Sequence, residues 1–255
     1  MIEGSDPAAV PWLAALEREV HVWTALPDEI RDPERLALYR SWLSPQEKQR
    51  HERYLREQDR HLFLVGHGLV RDTLSRYADR DPGAWVFENG RHGRPEIGGK
   101  WDGPALRFNL SHSQGLAACL VGLELDCGVD VENVERVANP RQLARRVFSA
   151  RELADLEAQP EKTMRSRFFE YWTLKEAYIK ARGLGLSLPL DRFAFELAAN
   201  GQIAIAFEPP IEDRAEDWQF GLWRLAPHHQ LAVALRRGSD PDRTIVRRAT
   251  VPGGA

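Results

Sequence analysis

Three short runs of this sequence carry side chains that could act together on a charged substrate. They are Phe108-Asn109-Leu110-Ser111-His112-Ser113, Gly128-Val129-Asp130-Val131-Glu132 and Trp172-Thr173-Leu174-Lys175-Glu176-Ala177-Tyr178-Ile179-Lys180. In the second run two carboxylates stand at i and i+2 among Cys127, Val129 and Val131. Alternation along a strand makes Asp130 and Glu132 neighbours on one face and turns the apolar residues to a core. In the third run Glu176 and Lys180 lie four apart on a helical pattern, one turn from each other on one face. Alone, that pair is an ordinary surface contact worth about 0.2–0.5 kcal/mol, and the strand carboxylates alone read as the polar side of a half-buried strand. Together, Asp130, Glu132 and Glu176 offer oxygen ligands only. Such a set suits Mg²⁺, with Mn²⁺ as the alternative, and magnesium completes its shell with water and phosphate oxygens. Phosphate chemistry is the expected reaction class.

The elements that must position these side chains repeat. Ser44-Pro45-Gln46-Glu47 and Ser149-Ala150-Arg151-Glu152 both fit a helix-starting capping box, serine as N-cap and glutamate three residues on. They stand 105 residues apart. Carried forward without a gap, that offset puts Phe63-Leu64 on Phe168-Phe169 and Leu69-Val70-Arg71-Asp72 on Leu174-Lys175-Glu176-Ala177, so that Arg71 takes the place of Glu176. Strand patterns match as well: Glu19-Val20-His21-Val22-Trp23 with Gly128-Val129-Asp130-Val131-Glu132, and Gly115-Leu116-Ala117-Ala118-Cys119-Leu120 with Gln230-Leu231-Ala232-Val233-Ala234-Leu235. A repeat of this length sets the fold class as α+β, a pseudo-twofold duplication in which each half is a small antiparallel sheet packed on a long helix. The expected halves are residues 17–122 and 123–240, after an N-terminal extension at 1–16 and before a polar tail at 241–255. The acidic triad belongs to the second half only.

Composition is compatible with this reading. A chain of 255 residues can bury a substantial core, and 35 basic against 38 acidic residues argue against a general nucleic-acid binder. Cys119 and Cys127 form no CxxC pair and are too sparse for a disulfide scaffold, which favours a reducing compartment. The first sixteen residues, with Glu3, Asp6 and two prolines, lack a signal-peptide pattern. No apolar stretch reaches membrane-spanning length. The expectation is a cytoplasmic monomer with no membrane or nucleic-acid partner.

The three signatures, in this order and spacing, resemble the 4'-phosphopantetheinyl transferases of the surfactin-synthetase-activating type. Gly128-Val129-Asp130-Val131-Glu132 is similar to that family's G-(I/V)-D-(I/V)-E motif, and Trp172-Thr173-Leu174-Lys175-Glu176-Ala177 to its W-(T/S)-x-K-E-(A/S) motif. The likeness runs from about residue 20 to 235. It implies coenzyme A bound between the halves as co-substrate, Mg²⁺ on Asp130, Glu132 and Glu176, and an apo acyl or peptidyl carrier protein as partner. It further implies Glu176 as the base for the carrier serine and Lys180 at the transferring phosphate. Ser111 and His112 would contact coenzyme A phosphates, Arg94 of the Gly93-Arg94-Pro95 turn would grip another, and Arg50 would reach the 3'-phosphate. At that last place the chain departs from the family's better-known member, with Glu47 where a lysine is expected.

Duller readings stand beside these. Glu152, close to the family's active site, is accounted for by its capping box; Lys175 is a phosphate or structural contact; Trp172 is a core residue near the site. Two other functions remain open on sequence alone, a Mg²⁺-dependent phosphohydrolase and a silent module that only binds carrier proteins.

Overall fold

A computed structural model of the chain describes residues 11–90, 92–137, 139–225 and 227–254. Each half begins with a strand, passes through helices, makes a small hairpin and ends in a longer one. In the first half these are β1 (Glu19–Ala25), α2 (Pro33–Trp42), α3 (Pro45–Arg53), α4 (Glu57–Ser75), the hairpin β2 (Phe87–Asn89) with β3 (Pro95–Ile97), then β4 (Leu106–Ser113) and β5 (Leu116–Leu123). A short α1 (Pro11–Ala15) precedes them. The second half repeats the order as β6 (Asp126–Asn133), α5 (Pro140–Val147), α6 (Ala150–Ala158), α7 (Glu161–Arg182), β7 (Phe193–Leu197) with β8 (Ile203–Phe207), then β9 (Trp218–Leu225) and β10 (His229–Arg236). The three main strands are ordered β1-β5-β4 in one sheet and β6-β10-β9 in the other, antiparallel throughout. The duplication is therefore one of topology as well as of pattern.

The two sheets lie face to face between two helical layers. Val20 and Val22 of β1, Leu116, Ala118 and Leu120 of β5, Val129 and Val131 of β6, and Leu231, Val233 and Leu235 of β10 share one core between the sheets. The alternate residues turn outward: Trp23, Ala117, Cys119 and Val121 pack with α4, while Ala232 and Ala234 pack with α7. Period-two alternation thus fills a core on both sides of each sheet, which is why β5 and β10 read as nearly continuous apolar runs.

Two expectations need correction. Residues 241–255 are not simply a polar tail: β11 (Thr244–Ala249) pairs in parallel with β1 at the edge of the first sheet. Beyond it, the Pro252 carbonyl accepts from Tyr39 Oη and Arg35 Nη1, each at 2.7 Å. The chain end returns to the half where the chain began. The ungapped register of the long helices also fails. Both capping boxes form as expected, but α3 reaches α4 through Tyr54, Leu55 and Arg56, whereas α6 reaches α7 through Gln159 and Pro160. The extra residue is accommodated at the surface, with Leu55 98% exposed. The partner of Arg71 is consequently Lys175, and Asp72 stands where Glu176 does. Side chains say the same: Arg71 Nη2 bonds Glu47 Oε2 at 2.6 Å and Lys175 Nζ bonds Glu152 Oε2 at 2.8 Å, each tying its long helix to the capping-box glutamate.

No helix among the described residues is long and apolar enough to cross a membrane. Cys119 and Cys127 are buried and unbridged. The expected extension falls partly on residues 1–10, outside the described residues; α1 follows, and its Trp12 packs edge-on to His21 and Trp23.

Candidate active site

The site is made where the edge of one sheet meets the strand and long helix of the other half. β6 is an edge strand, and its outward N–H groups would be left bare. β4 caps them: Asn109 Oδ1 accepts from Val129 N at 2.9 Å, Ser111 Oγ from Val131 N at 3.1 Å, and Ser113 Oγ from Asn133 N at 2.9 Å. Side chains at alternate positions of one strand thereby serve alternate amides of the next, closing an edge that would otherwise pair with another chain. On its other side β6 lies against α7 at very close range. A Cβ on Gly128 would sit 2.1 Å from the Ala177 carbonyl oxygen and 2.5 Å from Ala181 N. Only glycine permits that approach, and it brings Asp130 and Glu132 up to the helix face bearing Trp172, Glu176 and Lys180.

Asp130 is buried, at 4% exposure. Its Oδ1 accepts from Lys180 Nζ at 2.6 Å and from Ser111 Oγ at 2.9 Å, and the Lys180 ammonium also donates to Ser111 Oγ at 2.8 Å. Ser111 thus spends its one proton and both lone pairs inside the protein. Asp130 Oδ2 is buried without a hydrogen-bond partner among the described residues. Glu132 Oε1 accepts from Trp172 Nε1 at 3.0 Å. Burial, followed by repulsion from Asp130, raises the Glu132 pKa. Burial and then the Asp130 charge push Glu176 up to about 7, with Lys180 opposing and Glu132 adding to the rise. Three carboxyl groups therefore feel one another's charge in a poorly solvated place.

Among the described residues, no three His, Cys, Asp or Glu side chains are gathered closely enough to grip an ion. Lys180 lies on Asp130 instead. The character of the cluster nonetheless fits a hard cation. Its donors are all oxygen, one buried carboxylate oxygen lacks a partner, and Glu132 and Glu176 are raised first by burial and then by the neighbouring Asp130 charge, costs that a bound cation would offset.

Two protein-family models divide the chain between them: one described as 4'-phosphopantetheinyl transferase, N-terminal, matches residues 31–123, and one described as 4'-phosphopantetheinyl transferase superfamily matches residues 126–235. The 4'-phosphopantetheinyl transferase HetI of Nostoc sp. is 36% identical over 178 residues, covering 69% of this chain and 74% of its own. The chain belongs to the 4'-phosphopantetheinyl transferase family. Its likeness to the Sfp transferase of Bacillus subtilis is 30% over 204 residues, 80% of this chain and 87% of that one. An L-aminoadipate-semialdehyde dehydrogenase-phosphopantetheinyl transferase of Xenopus laevis is 27% identical over 208 residues, 76% of this chain and 68% of that one.

The structure divides the residues expected to contact coenzyme A. Strand alternation separates Ser111 from His112: the serine turns inward to Asp130, whereas the imidazole is exposed on the opposite face, its Cδ2 3.7 Å from where a Cβ on Gly66 of α4 would lie. Crowding by protein around the ring, then the charges of Lys180, His67 and Arg50, lower the His112 pKa. Lys180, His67 and Arg50 thus lie near enough to His112 to act on its charge. Arg50 is exposed, 5.6 Å over the Phe63 ring. Arg94 does not face solvent with a free fork; its guanidinium is engaged by main-chain carbonyls of the second half. A cavity of ≈ 550 Å³ lies against the first half, lined by Asp28, Arg56, Asp59 and His61 with Arg136 from the second, and does not include Asp130, Glu132 or Glu176.

Glu152 and Lys175 are resolved as structure. Glu152 is wholly buried, accepting from Ser149 N and Phe195 N besides Lys175, and Lys175 also donates to the Leu190 and Phe193 carbonyls. Sequence reasoning left Gly128 without a purpose and did not single out His67, whose Nδ1 lies 3.0 Å from Glu47 Oε1. The signal for Gly128 was present, a glycine inside a strand.

Proposed function

We propose that this protein transfers the 4'-phosphopantetheine group of coenzyme A to a serine hydroxyl of an apo carrier protein and releases adenosine 3',5'-bisphosphate. The observation that carries the reading is the cluster of Asp130, Glu132, Glu176 and Lys180, assembled on β6 and α7 in a chain of the transferase family. Magnesium, held by Asp130, Glu132 and Glu176, would supply charge to offset the pyrophosphate. The protein's own groups do the rest. Lys180 brings an ammonium, 27% exposed, to the rim beside Asp130, where it can meet a phosphate oxygen. Arg50 presents positive charge to the adenosine phosphates from the first half, and His112, neutral in the free protein because its pKa is lowered, gains its charge as a phosphate binds beside it. Glu176, on the α7 face toward β6, would take the serine proton directly or through water. The oxygen of that serine then bonds to the phosphorus next to pantetheine as the bond to adenosine bisphosphate breaks. We place the reaction in the cytoplasm, carried out by a monomer.

The test is release of adenosine 3',5'-bisphosphate, followed chromatographically with coenzyme A and Mg²⁺, with and without apo carrier protein. Release that requires the carrier supports transfer. Release without it would make the protein a phosphohydrolase.

A further inference from the structure

Arg94 stands at the end of the β2–β3 hairpin, whose turn is closed by a bond from Gly90 N to the Arg94 carbonyl at 2.8 Å. The hairpin is anchored in the first half, where Phe87 packs 5.1 Å from Phe108 and 4.9 Å under the Arg71 guanidinium. From there the Arg94 side chain reaches across to the second half. Nη1 donates to the carbonyls of Lys180 at 3.1 Å and Ala181 at 2.8 Å, and Nη2 to that of Cys127 at 3.1 Å. Both helix carbonyls belong to the last turn of α7, where that of Lys180 also accepts from the Gly183 cap N–H at 3.2 Å, and a guanidinium there suits the negative end of the helix dipole. Gly183, the left-handed cap of α7 at φ 62, lies beside the arm: a Cβ there would be in ordinary contact with Arg94 Cδ at 3.6 Å, and it is the positive φ that calls for glycine. No carboxylate pairs with Arg94 among the described residues.

We propose that Arg94 is a positioning residue for the transfer, a strut from the first half that fixes the gap between β6 and α7. One guanidinium grips the strand three residues before Asp130 and the helix at Lys180 itself. The 2.6 Å bond from Lys180 Nζ to Asp130 Oδ1 spans that same gap. Without the strut the last turn of α7 loses two of its carbonyl partners, and Lys180 and Glu176 drift from Asp130 and Glu132. Through Arg94, as through Ser111, the packing of the two halves sets the geometry of charged groups that all lie in one of them. The turnover part of this inference rests on the proposed transferase function; the arrangement of Lys180 does not.

Two variants test it, Arg94→Ala and Arg94→Lys, with the wild type as control. The readouts are kcat, the coenzyme A Kd by calorimetry, and the ¹³Cε resonance of Lys180 in the unliganded protein, assigned by its loss in Lys180→Arg. Arg94→Ala is expected to lower kcat about 10- to 100-fold, the cost of misplacing a group by about 1 Å. Its Kd should stay within about threefold while the Lys180 resonance moves toward that of a free lysine, and Arg94→Lys should recover part of kcat. A Kd weakened about tenfold with the resonance unmoved would make Arg94 a phosphate contact and overturn the proposal. So would an Ala variant that changes neither kcat nor the resonance. If Arg94→Ala does not fold, Arg94→Lys decides: a partial kcat loss at unchanged Kd supports the strut, and a weaker Kd at full kcat overturns it. A wild type with no transferase activity would refute the proposed function and leave the resonance to judge Arg94.

Discussion

In the second half, α7 sets Glu176 and Lys180 one turn apart against Asp130 and Glu132 of β6. In the first half, α4 sets Asp72 and Arg76 one turn apart at the matching places, but what they meet is different. Arg76 lies 4.6 Å over the Trp23 ring of β1 and bonds Asp72 Oδ2 at 2.8 Å and Thr250 Oγ1 at 3.2 Å. Asp72 Oδ1 accepts from Gly253 N at 2.9 Å. The pair is closed over by the returning chain end and every strong contact is made within the protein. Its counterpart is left with an unpartnered Asp130 oxygen and a Glu176 carboxyl titrating near neutrality. The duplication supplied a carboxylate and a cation twice. Carboxylates on the facing strand, with no segment laid across them among the described residues, distinguish the open copy from the closed one.

Substitutions that exchange these roles should separate the halves. Asp130→Asn removes charge from the open cluster and is expected to cost at least about 10³ in kcat with the fold retained, because such chemistry rests on charge stabilisation. Asp72→Asn, in the closed copy, should keep kcat within about threefold and lose about 1 kcal/mol of stability. Equal loss of turnover in both would erase the distinction. Lys175→Ala would leave Glu152 buried without its cation. Denaturant unfolding should show a loss of about 3–5 kcal/mol, with activity falling only as the protein unfolds.

Glu176→Gln tests the strain in the open cluster. Because burial and Asp130 raise the Glu176 pKa to about 7, folding favours the protonated form: the native state carries no penalty below the unfolded value near 4.5, and the cost grows as pH rises through about 7. Replacement by glutamine should therefore stabilise the metal-free protein by about 1–3 kcal/mol at pH 8, with the gain vanishing below about pH 5 and turnover lost throughout. A destabilised variant at pH 8 would show that the carboxylate is not strained. Leu55→Ser, at the extra surface residue that shifts the helix register, should change stability by less than about 0.5 kcal/mol.

Local rules made much of this legible. Alternation placed Asp130 and Glu132 on one face of β6, the helical period set Glu176 and Lys180 together, and both capping boxes formed where serine and glutamate stood three apart. Contacts that depend on distance between elements were not legible. Nothing local says that Ser111 turns inward to cap the amide of Val131 or that Arg94 reaches three carbonyls of the other half. The register slip escaped because one inserted residue, Leu55, leaves helix composition unchanged. Residues 244–249 were hidden by Asp240-Pro241-Asp242, which reads as an ending although Thr244, Ile245 and Val246 begin a strand.

The most direct test of the account is the intact mass of an apo carrier protein incubated with this protein and coenzyme A, with Mg²⁺ or with a chelator. The account predicts a gain of one phosphopantetheine group on the carrier with Mg²⁺ and none with the chelator. An unchanged carrier mass across several carrier types, in the presence of demonstrated coenzyme A binding, would contradict it.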